Sequence, residues 1–430
     1  MLGPRIELDT LVMLTGQDAA GVGSALETAE RLGLLTSTDR GIRFTHEMLA
    51  RGVYNEISPL RRQVMHQRVA SLLEQNSALD LDYAAELAHH ALNSGDAGLA
   101  ARSLVLAGRL CKRFFANEEA VAHARNGLQL AERLTGVERV KVSIELHEVM
   151  LSAAPLEDWE TAAQQYVSLA EQALDHGALE HARLGYHMAS TLRWEHGQWS
   201  GAREQSLQAA RVIRGGSEQH NIIGLAETAK CLAMLERDLP QAEAMLMEAE
   251  GLAQRLHFRH HAIPMGLGLL RLHEDRLDEA EELFLQARTL CKSEGDRISE
   301  FQANENLAMI AWYRGDFELA RERCALLMEL GSKLREGSEE PLARALHGLC
   351  VYHERDDSEL LDEALKDLRV ADAKYRLAYT QSRAAMVELQ RERHEAAQQR
   401  AAEALACAEL LQRPTEMLLA PSTTWALVTM

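Results

Sequence analysis

The chain has 430 residues and carries 65 acidic against 46 basic side chains, a formal net charge of −19. That length corresponds to about three average domains, with a core large enough to need no disulfide or metal staple. The acid excess disfavours general nucleic-acid binding and an anionic membrane surface, which both draw on Lys and Arg. Aromatics make up 5% of the chain, and Val and Ile together number 27, so little material is available for sheets and an all-α fold is expected.

From the amino terminus, Glu7 and Asp9 stand where a signal peptide would carry its apolar core. The first expected helices are Leu8 to Leu14 and Gly23 to Leu32, the second stopped by Gly33. The segment Gly16-Gln-Asp-Ala-Ala-Gly21 has the spacing of a phosphate loop. However, Val22-Gly23 replaces the required Lys and Ser/Thr, so it reads as a turn between helices. Leu34-Leu-Thr36 and Ile42-Arg-Phe44, separated by the polar turn 37–41, predict the one convincing β-hairpin. Thr45 is the expected N-cap of a helix through Ile57, and Ser58-Pro59 opens a helix to about Gln75. Helices followed by a hairpin predict a winged-helix domain over 1–75. This part holds eight basic and nine acidic residues, so the rest of the chain carries the other −18.

Over 76–430 a pattern recurs: a turn, an aromatic residue or Leu, two residues, then Ala. It stands at Gly197-Gln-Trp199-Ser-Gly-Ala202, Asp238-Leu239-Pro-Gln-Ala242, Arg276-Leu277-Asp-Glu-Ala280 and Gly315-Asp-Phe317-Glu-Leu-Ala320. Trp159 to Ala162 and His394 to Ala397 fit the same frame, and Ala364 marks a less regular unit. The alanines at 162, 202, 242, 280 and 320 lie 38 to 40 residues apart, which predicts helix pairs of a tetratricopeptide-like superhelix with long helices. Small residues should mark the helix crossings, for example Gly268 with Ala280 and Ala308 with Ala320. Asn76 to Thr135 should hold less regular units at 83–92, 97–113 and 117–134. The prolines at 155, 240, 264, 341 and 414 fall at expected turns or first helical turns.

Signals for catalysis fail one by one. His-Glu pairs at His46, His147, His273, His353 and His394 lack a second His four residues on, which a helical zinc site needs. The cluster His257-Phe-Arg-His260-His261 has no acidic or thiol ligand nearby in sequence and reads as a chance cluster, as does His89-His90. Six scattered cysteines without a C-x-x-C pair fit reduced core thiols. No apolar run reaches the roughly 18 residues of a membrane span. The expectation is a cytoplasmic, non-enzymatic protein with no cofactor and no metal.

The stretch from Arg43 to Glu74 resembles the region that follows the nucleotide-binding module in bacterial STAND-type ATPase regulators, including large LuxR-type and SARP-like activators. Its pattern is matched by Arg43, Phe44, His46, Tyr54, Arg61, Arg62, His66 and Ala70, and Glu86 to His90 and Phe115 to Ala120 resemble its first repeats. The specific match covers about residues 8–130. The resemblance implies a winged helix that latches onto an ATPase module, in cis or in trans, and a repeat domain that senses an inducer or partner protein. Two departures stand out: no Walker motif precedes the expected winged helix in this sequence, and no LuxR-like helix-turn-helix follows Leu411 in it. The expectation is either the sensor part of a longer regulator or a chain that acts through partners.

Direct DNA reading through the winged helix is the alternative. It is disfavoured because Glu27 and Glu30 on the second helix would face phosphates with only Arg31 to offset them. Arg61, Arg62 and Arg68 form a basic stripe on the following helix. In such superhelices the first helix of each pair lines the concave groove. Counting from each crossing nominates His187, Thr191, Trp194, Glu227, Lys230, Gln302, Glu305, Trp312 and Arg344 as exposed groove positions for a protein, a peptide or a small-molecule inducer.

Overall fold

A computed structural model of the chain describes residues 8–38, 41–77, 83–154, 156, 158–212, 217–334 and 337–411. Pro155, Pro414 and the tip of the 37–41 turn lie outside them. The chain forms two compact units, one of residues 1–111 and 119–146, the other of 112–118 and 147–430.

The first unit opens with α1 (Leu8–Thr15) and α2 (Ala19–Arg31). Helix α2 starts earlier than the sequence suggests because the Asp18 carboxylate caps it, accepting from Gly21 N at 2.7 Å. Gly33 ends the turn that follows α2 with φ +68°. Strands β1 (Leu35–Thr38) and β2 (Gly41–Phe44) pair antiparallel, Leu35 opposite Phe44 and Thr36 opposite Arg43. Thr45 is not the N-cap of the next helix. Its hydroxyl donates to Gly33 O at 2.7 Å and its N–H to Leu34 O, tying the end of the hairpin to its start, and the helix begins after His46.

Then come α3 (Glu47–Glu56), α4 (Pro59–Ser77), α5 (Ala84–Leu92), α6 (Ala97–Arg113) and α7 (Asn117–Ala131), close to the expected positions. Helix α8 (Gly136–Ala153) runs from the first unit into the second. The change of sequence pattern at residue 75 is not a change of compactness, since Ala70 of α4 shares a core with Leu87, Ala91, Leu99 and Ala100 of the first repeats.

A buried polar chain reinforces that core. The Tyr54 hydroxyl lies 3.0 Å from His66 Nε2, His66 Nδ1 lies 2.8 Å from His90 Nδ1, and His90 Nε2 is 4.0 Å from Glu86. One direction of donation fits both hydrogen bonds, Tyr54 O–H to His66 and His66 N–H to His90, and leaves the His90 Nε2–H on the side of Glu86. Burial first, and then His89 and Arg62, lower the His66 pKa and keep the ring neutral, as this chain requires. His90, which the sequence suggests is incidental, is therefore a structural link.

The second unit is a stack of antiparallel helix pairs. After α9 (Trp159–Asp175), first helices α10 (Leu179–Glu195), α12 (Glu218–Leu235), α14 (Ala262–His273), α16 (Arg297–Tyr313), α18 (Glu339–Arg355) and α20 (Lys374–Gln390) alternate with second helices. The second helices are α11 (Trp199–Val212), α13 (Leu239–Leu256), α15 (Leu277–Glu294), α17 (Phe317–Gly331), α19 (Glu359–Val370) and α21 (His394–Leu411). Each helix packs on the next along the chain, and first helices also meet first helices, α10 with α12, α12 with α14 and α18 with α20.

The turn-aromatic-Ala signature is explained residue by residue. The aromatic residue or Leu is the first residue of the second helix, as at Trp199, Leu239, Leu277 and Phe317. The Ala three residues on is fully buried at 202, 242 and 280 and nearly so at 320. In α9 the fully buried small residue is Ala163 instead of Ala162, which is half-buried. Two residues before the second helix the backbone is left-handed, supplied by Gly197 and Gly315 in two repeats and by Asp275 in another.

Glycine has a second use at the crossing of α18 and α19. A Cβ on Gly348 would stand 2.7 Å from Leu361 N and 2.8 Å from its Cα. Gly348→Ala must therefore push two backbones apart, at a cost of about 1–3 kcal/mol, measurable as a lowered urea midpoint. His66→Leu leaves Tyr54 and His90 without their shared partner in a buried setting. A loss of about 1–3 kcal/mol is expected, read as increased protease susceptibility around residues 54–90.

Candidate functional site

The second unit closes on itself. Trp199, at the start of α11, packs against Ala202, Cys231 and Leu235 of its own neighbourhood. It also packs against the cluster of Ala378 and Ala408 on α20 and α21, as Tyr375 and Cys407 do. Residues about 180 positions apart are thus in one contact, and the first helices wind tightly inside it. Glu305 of α16 reaches Arg376 of α20, and the Arg383 guanidinium of α20 donates to the Tyr313 hydroxyl of α16 at 2.8 Å.

Beside this closure lies a cavity of about 740 Å³. Its walls come from the end of α10 and start of α11 on one side (Trp194, Glu195, Trp199) and from α18 to α20 on the other (Arg344, Tyr375, Arg376). A smaller chamber of about 50 Å³ shares Trp194, Gln302 and Tyr375 with it and adds Met234, Met265, Leu269 and the carboxyl groups of Glu236 and Glu305. The indoles of Trp194 and Trp199 meet edge to face, centroids 5.9 Å apart at 85°, forming an aromatic corner. The Trp194 Nε1–H is buried with no acceptor within hydrogen-bond distance.

The cavity's cations are held in place by acids. Arg344 pairs with Asp367 at 2.8 Å, Lys374 pairs with Asp372, and Arg376 donates to Ser338 Oγ at 2.5 Å and to Glu339 at 3.3 Å and Glu305 at 3.4 Å. Burial raises the Glu305 pKa, and Arg376 opposes that shift without cancelling it.

Of the residues nominated from sequence, Trp194, Gln302 and Arg344 are brought together at the large cavity, and Glu305 joins Trp194 and Gln302 at the small chamber. Thr191 is half-buried on α10 and outside both linings. Trp312 is a packing residue, lying edge-on to Phe317 and His353 with centroids 4.8 and 5.7 Å away. The expected exposure of Glu227, Lys230 and Glu305 is corrected: each is at most 9% exposed, because charge pairs fill the inner face of the coil. Trp199, Tyr375 and Arg376 were missed. Trp199 carried a signal, the repeat's aromatic position, which explained it as scaffold alone.

His187, Glu227 and Lys230 belong to a second, buried ionic cluster. Glu227 is 2.6 Å from Lys230 Nζ, 3.4 Å from His187 Nε2 and 3.6 Å from His261 Nε2, and His261 Nδ1 is 2.6 Å from Glu294. Asp296 lies 3.4 Å from His261. The histidines read as a chance cluster therefore meet carboxylates brought in by α12 and α15, which local spacing cannot reveal.

Among the described residues, His260, His261 and Glu294 place possible ligand atoms within 4.8 Å of one another and could hold a metal ion. Their contacts fit charge pairing better, since His261 already bonds Glu294 and Lys230 already neutralises Glu227. Burial works against the charge on His261, but Glu294, Asp296 and Glu227 prevail and raise its pKa. Burial lowers His187 and His260 to about 4 despite Glu227, whose charge Lys230 already answers. His147, beside Tyr166, is also lowered to about 4 by burial.

The fold is thus that of a helical-repeat protein of the tetratricopeptide type. No protein-family model matches the chain, and no curated protein does. Among solved structures it is similar to a STAND protein with a tetratricopeptide repeat sensor from Pyrococcus horikoshii, at 14% identity and a TM-score of 0.45 over 86% of this chain. The chain spans 61% of that protein's length. It is also similar to a Rap protein complexed with competence and sporulation factor, at 15% identity and a TM-score of 0.45 over 73% of this chain and 99% of that one. A third is NprR in complex with its cognate peptide NprX, at 13% identity and a TM-score of 0.44 over 64% and 82%. Scores below 0.5 do not define a shared fold, and the repeat assignment rests on the helix pairs themselves. No helix among the described residues is long and apolar enough to cross a membrane.

The three histidines lowered to about 4, His147, His187 and His260, set a pH dependence. Unfolded, each binds a proton near pH 6.5; folded, each stays neutral to about 4. The unfolded chain gains protons between those values, so stability falls as pH drops from about 6.5 to 4. His261 acts oppositely: its contribution is present below about 6.5 and lost as pH rises through its raised pKa. Urea midpoints measured from pH 7 to 4 should decline, and His260→Asn should flatten the decline.

Proposed function

We infer that this chain is a non-enzymatic sensor and protein-interaction region of a transcriptional regulator, and that it binds an inducer or a peptide inside the closed coil of its repeats. The observation that carries the reading is the cavity of about 740 Å³ at the Trp199 closure, within the size range of sites for drug-sized ligands. Its walls combine the aromatic rings of Trp194, Trp199 and Tyr375 with several charged side chains, among them Glu195, Arg344 and Arg376. A ligand there touches the α10–α11 turn and α18–α20 at once. Its binding energy therefore adds to, or competes with, the contact that closes the coil.

The amino-terminal helices and hairpin are read as a winged helix that docks on an ATPase module, in cis or in trans, instead of on DNA. Two of the three arginines in its basic stripe are engaged within the unit. Arg62 lies 5.0 Å over the Tyr54 ring, and Arg68 donates to Leu14 O at 3.3 Å. Glu27 is exposed on α2, where phosphates would approach. The Tyr54–His66–His90 chain gives the family-like residues a structural role, joining this part to the first repeats.

The test is a thermal-shift screen of the purified chain against peptide and metabolite libraries. A ligand at a hundred times its Kd stabilises the folded chain by about 2.7 kcal/mol, a melting shift on the order of 5 °C or more for a unit of this size. The shift should be lost in Trp194→Ala and retained in Trp312→Phe, whose ring packs elsewhere. Absence of any binding ligand or co-purifying protein would overturn the reading.

A further inference from the structure

Resting on the sensor reading and naming what its cavity recognises, we propose that the ligand carries an oxygen acceptor, a carbonyl or a carboxylate, beside a compact branched apolar group. Trp194 reads that oxygen through its indole N–H.

The first observation is a donor left over by folding. Among the described residues the Trp194 Nε1–H meets no acceptor, and it is buried out of reach of water. A buried donor without a partner costs free energy that an acceptor placed against it recovers. Two neighbouring donors on the wall of the small chamber are spent: His273 Nε2 lies 3.1 Å from Ala233 O, and Asn306 Nδ2 donates to Gln302 O at 2.8 Å. The indole N–H beside them is not.

The second is where the ring stands. Trp194 lines both the large cavity and the small chamber, so an acceptor entering from either side comes to the same indole. Because the N–H is sealed in the free chain, recognition requires the ring to turn toward the space it borders, exchanging an unsatisfied position for a bonded one. Gln302 borders the same two volumes, and its carboxamide offers a second donor to an oxygen with two lone pairs.

The third is the shape of the small chamber. Its volume of about 50 Å³ has room for roughly three to five water-sized groups. Met234, Met265, Leu269 and Leu272 wall it, and such side chains suit a branched alkyl group like isobutyl. An oxygen a bond or two from that group falls at the mouth, where Trp194 and Gln302 border both volumes.

Three probes with a common isobutyl group test the oxygen requirement. N-(2-phenylethyl)-3-methylbutanamide carries a single amide carbonyl, as a peptide unit does, and its thioamide replaces that oxygen by sulfur, a weak acceptor on a more apolar molecule. The third, 3-methylbutanoate, presents a carboxylate. Binding to the full chain is followed by calorimetry and by the indole N–H resonances, that of Trp194 being the one absent from Trp194→Phe.

The amide should bind about tenfold more tightly than the thioamide, and the Trp194 resonance should move downfield as its N–H gains an acceptor. Trp194→Phe keeps a ring and removes the donor, and it should bring the amide down to the affinity of the thioamide. Trp312→Phe, whose ring packs elsewhere, should keep the preference, and melting temperatures report the fold of both variants. A Trp194 shift with the amide alone identifies a peptide-like source, a shift with 3-methylbutanoate alone a small carboxylate, and a shift with both the shared chemistry. Equal or tighter binding of the thioamide, or a preference that survives in Trp194→Phe, overturns the role of Trp194 and leaves the sensor reading standing. The same holds if none of the three probes binds while another library ligand does. If no ligand of any class binds, the sensor reading itself falls.

Discussion

Trp199 belongs to two cores at once, and the cavity exists because it does. Its indole packs on Ala202, Cys231 and Leu235 and also on the cluster of Ala378 and Ala408 from the far end of the array. An open stack of helix pairs would have only nearest-neighbour contacts and would bend freely along its length. This one contact converts the stack into a closed turn. The closure brings Trp194, Gln302, Tyr375 and Arg376, from distant parts of the chain, onto the lining of one cavity.

Closing the coil forces the inner faces of first helices together, and polar residues placed there must be paired. The answer is two ionic clusters, one around Glu227, Lys230 and His261 and one around Glu305, Glu339 and Arg376. Removing one member of such a pair strands the other charge in a poorly hydrated site, which costs more than the pair contributes. Their value lies in register: Arg376 meets Glu305 and Glu339 only if α16, α18 and α20 are wound at this spacing. The curvature that makes a cavity possible is therefore specified by charge as well as by apolar packing.

The fold was largely legible in the sequence because repeat signatures are local. Trp199 to Ala202 and Phe317 to Ala320 announce a helix start and a buried small residue within four positions, and the structure places both there. The hairpin was legible for the same reason, whereas the cap of α3 was not. Thr45 has the chemistry of an N-cap, but its hydroxyl is claimed by Gly33, twelve residues earlier. The site was half legible. Counting along first helices found Trp194, Gln302, Glu305 and Arg344, since period alone sets which residues face inward. It took the inner face to be open, and so called Glu227 and Lys230 exposed. Tyr375 and Arg376 could not be found by counting, because their position depends on how far the coil winds over some 180 residues.

The recurrent chemistry of the repeats and the chemistry of the cavity therefore make different demands on the same positions. At the start of α11, α13, α15 and α17 the scaffold uses a large apolar residue, and Leu239, Leu277 and Phe317 meet that need without touching the cavity. Trp199 meets it too, and its size lets one face seal the closure while another borders the cavity. A ligand pressing on that indole cannot be accommodated without changing its fit between the two cores, because packed interiors give way in discrete rearrangements instead of stretching smoothly. Under the proposed sensor reading, the residue that closes the coil is thus also the one through which occupancy of the cavity would reach the rest of the array.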